Sequence, residues 1–163
     1  MSIPDGDLPP HQPHCLGCGP ENPAGLGMRM RRDGERIRGD VTPDRRHEGA
    51  PGFVHGGAIS TILDDALGSV LLILQRPAVT AKLEVNYRRP AFLGRRFEVE
   101  AWAERVDGRK LHLAGEMREQ GALVADARGL FLEVEVEHFL AAGHKPPAGW
   151  RDDAERSGFR FPW

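Results

Sequence analysis

Apolar and polar positions alternate over residues 26–32 and 35–42, on either side of Asp33-Gly34. Alternation has the period of a half-buried strand, and Asp-Gly between two such runs marks a hairpin. Residues 43–54 are rich in Gly and Pro and read as a loop. From Gly56 to about Gln75 the period changes. Ala58, Ile59, Ile62, Leu63, Ala66, Leu67, Val70, Leu71, Ile73 and Leu74 cover most of a helical wheel, which predicts a helix buried nearly all round. Gln75-Arg76-Pro77 ends it. Strand-like runs follow at 79–88, 96–106, 109–118 and 122–136. The first places Val79, Ala81, Leu83, Val85 and Tyr87 on one face, and Asp107-Gly108 marks a second hairpin.

The order β-β-α-β-β-β-β predicts an α+β architecture, a curved antiparallel six-stranded sheet wrapped around one long central helix. Such a sheet has another face and open edges, commonly covered by a second copy of the chain. A homodimer is therefore expected, or a tetramer built as a dimer of dimers.

Composition narrows the picture. The 163 residues carry 22 Lys+Arg against 24 Asp+Glu, a formal charge of −2. That balance argues against a general nucleic-acid binder, which would present a strongly basic face. No uninterrupted apolar run nears the roughly 18 residues of a membrane span; the longest candidate is Val70–Leu74. The N-terminus, MSIPDGDLPPHQPH, lacks an apolar signal core, so a cytoplasmic location is expected. Of 13 prolines, six fall in residues 4–23 and three in 146–162. Proline resists both helix and sheet, which suggests an irregular leader (1–24), a folded body (25–140) and a tail (141–163).

The chemistry concentrates in the helix. Asp64 and Asp65 interrupt its apolar middle, where a carboxylate is costly unless paired or hydrogen-bonded. His55-Gly56-Gly57 stands at its start. Glycine there lets a ligand approach the free N–H groups of the first turn, which with the helix dipole favour a developing negative oxygen. Nine residues of helix turn through about 900° and rise about 13–14 Å, so His55 and Asp64 of one chain do not share a small site. In a two-fold dimer with antiparallel helices they can.

The segment Gly52-Phe-Val-His-Gly-Gly-Ala-Ile-Ser-Thr-Ile-Leu-Asp-Asp-Ala-Leu-Gly68 resembles the hotdog-fold acyl-CoA thioesterases of the phenylacetate-pathway type. The block Val79-Thr-Ala-Lys-Leu-Glu-Val-Asn-Tyr-Arg-Arg-Pro90, the stretch Gly108-Arg-Lys110 and the leader Cys15-Leu-Gly-Cys-Gly-Pro-Glu-Asn-Pro-Ala-Gly-Leu26 are similar as well. The resemblance implies hydrolysis of acyl-CoA at a site shared across a dimer interface, without a cofactor or metal. It assigns Asp64 as general base or nucleophile, Gly56 as the N–H that polarises the thioester carbonyl, His55 as the residue that orders this end of the site, and Thr80 as holder of the attacking water. Asp65 matches no such role and reads as structural. Gly57 and Asn86, inside the matching motifs, are assigned to substrate binding. One departure stands out. Many members carry Asn six residues before the motif His, where this chain has Gly49 within His47-Glu48-Gly49. Either a backbone N–H, His47 or Glu48 substitutes, or one oxyanion donor serves alone. The departure also motivates an alternative, a non-catalytic hotdog dimer that binds acyl-CoA or a lipid-like ligand. A hotdog hydratase would need a different His-acid motif, which is not seen.

Further candidates lie outside that motif. Arg88, Arg89 and Lys110, among basic residues that include Arg95, Arg96 and Arg109, either bind the phosphates of coenzyme A or keep sheet edges charged and solvated. His14-Cys15-x-x-Cys18, with His11 as a further ligand, is half a zinc site, a redox pair or a structural turn; no second Cys pair exists to complete four ligands, and no metal is expected. Gly158-Phe-Arg-Phe-Pro-Trp163 either docks on the body or a partner, or frays.

Overall fold

The structure is a computed structural model and describes residues 4–135, 137–141 and 143. The aromatic run at 158–163 lies outside the described residues. Seven strands form one antiparallel sheet: β1 (Gly6–Asp7), β2 (Arg29–Asp33), β3 (Arg36–Val41), β4 (Ala78–Tyr87), β5 (Phe97–Asp107), β6 (Lys110–Glu119) and β7 (Ala122–Glu133). Their order is β1-β2-β3-β5-β6-β7-β4. The long helix α1 (Gly56–Leu74) follows β3, and a short helix α2 (Glu137–Leu140) follows β7. This is the expected α+β arrangement with seven strands rather than six. The added strand, β1, is two residues that pair through their backbone with Arg31 and Arg32, so it leaves no apolar alternation to read.

Local chemistry sets the turns where the sequence marks them. Gly34 and Gly108 take positive φ of 63° and 56° in the two Asp-Gly hairpins, a conformation that glycine adopts without a Cβ penalty. Gln75, left-handed at φ 56°, caps α1 and donates its N–H to Leu71 O.

The core lies between α1 and the concave face of the sheet. Ile62, Leu63 and Leu67 from the helix are fully buried against Ile37, Phe97, Leu111, Leu113 and Met117 from β3, β5 and β6. Two strand glycines face Leu67 of the helix. A Cβ on Gly129 would stand 3.0 Å from Leu67 Cδ1, and one on Gly115 would stand 3.4 Å from Leu67 Cδ2. Absent side chains there let β6 and β7 curve around Leu67. By length and composition α1 could also cross a membrane; averaging over its glycines, serines and aspartates reveals this where a search for unbroken runs does not. Here the helix packs across β3, β5 and β6, the position of a core helix.

At one end of the sheet, β4 has a partner only on its β7 side. Ala81 and Tyr87 on this strand are exposed, Leu83 and Val85 are half-buried, and a bulge interrupts the register between Thr80 and Lys82. The bulge breaks the predicted alternation: Val79 falls on the face opposite Leu83, Val85 and Tyr87, so the apolar face holds from Leu83 onward, and one chain leaves it partly uncovered.

Leu67→Ala removes a fully buried side chain wedged between two strands. It should destabilise the fold by about 2–5 kcal/mol, read as a lower urea midpoint with unchanged slope.

Candidate active site

Asp64 sits in the middle of α1 and faces the start of β4. Its Oδ1 accepts a hydrogen bond from Thr80 Oγ1 at 3.0 Å. The carboxyl is half-buried, and burial raises its pKa above the ordinary value; the Thr80 hydroxyl opposes this, and the neighbouring Asp65 charge adds to it. A base tuned upward, with a hydroxyl beside it, is an arrangement able to hold and deprotonate water.

The other end of the motif lies at the start of the helix. His55 is the N-cap, and its Nδ1 accepts from the Gly57 N–H at 2.8 Å. A Cβ on Gly57 would come 3.0 Å from that nitrogen, so glycine allows the histidine to fold back. Gly57's donor is therefore spent, whereas the Gly56 N–H has no partner among the described residues. Tyr87, at the far end of β4, donates its hydroxyl to Gly56 O at 3.0 Å and lies 2.8 Å from Ser60 Oγ. A Cβ on Gly56 would approach that tyrosine oxygen to 3.4 Å. Tyr87 and Ser60 thus line this end of the helix. The sequence shows Tyr87 only as one of five apolar-face positions; the signal that pairs it with Ser60 is the four-residue spacing of Ser60 from Gly56.

The structure keeps the two ends apart within one chain. Gly56 and Asp64 are separated by eight residues of helix, about 12 Å, and their partners Tyr87 and Thr80 stand at opposite ends of β4. The basic residues divide in the same way. Arg88 and Arg89 follow Tyr87, while Lys110 pairs with Leu132, which neighbours Thr80's partner Phe131. Asn86 Nδ2 and Arg88 Nε both donate to Asp126, at 2.9 and 2.6 Å. The side chains of Arg89 and Lys110 make no hydrogen bond or ion pair among the described residues. Arg96 pairs with Asp40 and Arg95 with Glu119, and Arg109 donates to Glu133 O.

The departure at Gly49 is now explicit. Its N–H donates to Phe53 O at 2.9 Å. The Glu48 carboxylate accepts from the Gly52 N–H at 2.7 Å. Buried His47 accepts from the Asp44 N–H at Nδ1 and faces Ala24 O with Nε2. None of the three is free to act as a second oxyanion donor.

Asp65, about 100° around the helix from Asp64, faces the leader. His11 Nδ1 lies 2.9 Å from its Oδ1, and the Cys15 thiol donates to the same oxygen at 3.2 Å. Burial works against a charge on His11, but the Asp65 carboxylate and the Cys15 sulfur outweigh it and hold the imidazole pKa up at about 10.

Residues 51–125 match the family model described as the thioesterase superfamily. This matched stretch is similar to the thioesterase superfamily, and the chain has the hotdog fold. This domain is 35% identical over 92 residues to the acyl-coenzyme A thioesterase THEM4 of Bos taurus, a match covering 55% of this chain and 38% of the relative. The chain spans well under half the length of the curated acyl-coenzyme A thioesterases it matches. Among solved structures, the thioesterase superfamily protein RHA08564 superposes with a TM-score of 0.71 at 32% identity, over 74% of this chain and 61% of that one. The smu.793 protein of Streptococcus mutans, solved bound to acetyl CoA, has the same hotdog fold: TM-score 0.62, 20% identity, 66% of this chain and 88% of that one.

A raised Asp64 pKa means that ionising Asp64 destabilises the folded state. The carboxyl contributes its full stability below its unfolded pKa and loses it as pH rises through the folded value. Asp64→Asn should therefore leave the melting temperature at neutral pH unchanged or slightly higher, as scanning calorimetry would show.

Proposed function

We propose that this protein hydrolyses acyl-coenzyme A thioesters, using water activated by Asp64. The observation that carries this reading is the Asp64–Thr80 pair, a half-buried carboxylate with a raised pKa and a hydroxyl at 3.0 Å. Asp64 takes a proton from a water held between the two groups, and the resulting hydroxide attacks the thioester carbonyl carbon. The carbonyl electron pair moves onto oxygen, where the Gly56 N–H and the positive end of α1 stabilise it. The C–S bond then breaks. The thiolate of coenzyme A leaves and takes up the proton from Asp64, and the free acid remains.

Both groups reach one substrate only if Gly56 comes from the partner subunit, because about 12 Å of helix separates the two within a chain. A homodimer joined at the unpaired β4 edge is therefore part of the reading, and its uncovered apolar residues support it. Whether two dimers stack into a tetramer is read from the solution mass. Arg89 and Lys110, unengaged by acids, are the cations best available to the phosphates of coenzyme A, with Arg88 shared between substrate and Asp126. The two cysteines are not joined in a disulfide, which agrees with a cytoplasmic setting.

One observation favours a second reading, a dimer that binds acyl-CoA without turnover: Gly49, His47 and Glu48 are all committed elsewhere, leaving the first turn of α1, with the Gly56 N–H, to stabilise the oxyanion without them. Release of free thiol from acyl-CoAs of increasing chain length separates the two. Under the hydrolytic reading, Asp64→Asn lowers kcat by about 10²–10⁴-fold. The wild-type rate then falls on acidification through a pKa above that of an ordinary aspartate. Tight binding with no thiol release at any chain length selects the second reading. A shared site adds an outcome of its own: Gly56→Val and Asp64→Asn chains, each inactive alone, recover part of the activity when mixed into heterodimers.

A further inference from the structure

Beside the proposed active site, four side chains converge on one point. His11, Cys15 and Cys18 come from the leader and Asp65 from α1. Their nearest nitrogen, sulfur and oxygen atoms all lie within 4.8 Å of one another. The separations are 2.9 Å from His11 Nδ1 to Asp65 Oδ1, 3.2 Å from Cys15 Sγ to the same oxygen, and 3.5 Å from Cys18 Sγ to His11 Nδ1. Ligands at zinc distances of about 2.0–2.3 Å in a tetrahedron stand roughly 3.3–3.8 Å apart. The four donors are already gathered to nearly that spacing.

The surroundings are those of a built site. Asp65 has 8% of its side chain exposed, and its Oδ2 is buried with no hydrogen-bond partner. Such an orphaned carboxylate oxygen is unfavourable unless a cation or donor satisfies it. The leader backbone is moulded to the carboxylate: a Cβ on Gly17 would lie 2.4 Å from Asp65 Cγ. The His11 N–H points at Cys18 Sγ at 3.2 Å, as N–H groups do toward thiolate ligands, and His11 Nε2 faces Ser69 Oγ at 3.5 Å. That leaves Nδ1 as the ligand nitrogen and gives the ring an outer partner that fixes its orientation.

We propose that His11, Cys15, Cys18 and Asp65 bind a divalent zinc ion that staples the leader to the central helix. The sequence supplies three of these ligands in eight residues; the fourth, fifty residues away, appears only once the helix is packed under the leader. Two thiolates select a borderline-soft ion over calcium or magnesium, and four protein ligands close a tetrahedral set, as in structural sites. Binding takes both sulfurs as thiolates and the imidazole with Nδ1 unprotonated, so it is favoured as pH rises. The ion gives the orphaned region of Asp65 a counter-charge and fixes the rotation of the helix one residue from Asp64. It takes no part in hydrolysis, and the proposal stands or falls separately from the thioesterase reading.

The test is metal content, measured without any acyl-CoA. Full-length protein made in zinc-supplemented medium and dialysed should carry about one zinc per chain by mass spectrometry. Cobalt should replace it and give a sulfur-to-cobalt charge-transfer band. The Cys15→Ser/Cys18→Ser double variant should lose both signals, while His14→Ala, in the same turn but outside the cluster, should keep them. On the wild type alone, stripping with a chelator should lower the melting temperature by about 5–10 °C and zinc should restore it. Wild-type protein that holds no zinc after supplementation, or zinc held equally by the double variant, overturns the proposal.

Discussion

Most of α1 gains from leaving water, since its leucines and isoleucines are stabilised by burial. Asp64 and Asp65 do not, because a carboxylate loses hydration that only a partner can replace. Adjacent positions on a helix diverge by about 100°, so a single neighbour cannot satisfy both. The chain answers with two different partners. Thr80 on β4 meets Asp64, and the leader meets Asp65 with a histidine and two thiols. The partial remedy for Asp64, one hydroxyl against a desolvated charge, leaves it with a raised pKa and hence reactive. The fuller remedy for Asp65 draws residues 8–28 down against the helix, where Leu8 N–H bonds to Met30 O and Met28 N–H to Gly17 O.

Much of this was legible in the residues. The helix, the hairpins at Asp33-Gly34 and Asp107-Gly108, and the strands before and after them follow from periodicity and turn chemistry, which are local properties. The pairing of Asp64 with Thr80 follows from family motifs rather than from spacing. What stayed hidden is non-local. The partners of Asp65 lie 50 and 54 residues away, and no pattern in the leader points to an aspartate in a distant helix. The two-residue strand β1 carries no side-chain signature because its bonds are all backbone. The occupation of Gly49, His47 and Glu48 is likewise a matter of loop geometry: a Gly-Pro-rich loop must satisfy its own donors and acceptors, and these three do so.

The start of α1 shows the same economy. His55 uses its ring to cap Gly57, and Tyr87 uses its hydroxyl on Gly56 O. Both interactions hold the first turn of α1 in place, and the Gly56 amide stays without a partner among the described residues. Under the proposed hydrolysis, a helix start without a second side-chain donor is a weaker stabiliser of charge, but a thioester needs less help than an amide because thiolate leaves readily.

The position of β7 between β6 and β4 has a practical consequence for anyone cutting the chain. The family match ends at residue 125, yet β7 continues to Glu133, and its later half pairs with β4 from Ala78 to Asn86. The match also begins after β2 and β3, whose Ile37 is fully buried in the core. A fragment trimmed to the matched residues would therefore strip Thr80 of its strand neighbour and open one side of β5. The matched stretch, residues 51–125, is narrower than the unit that folds.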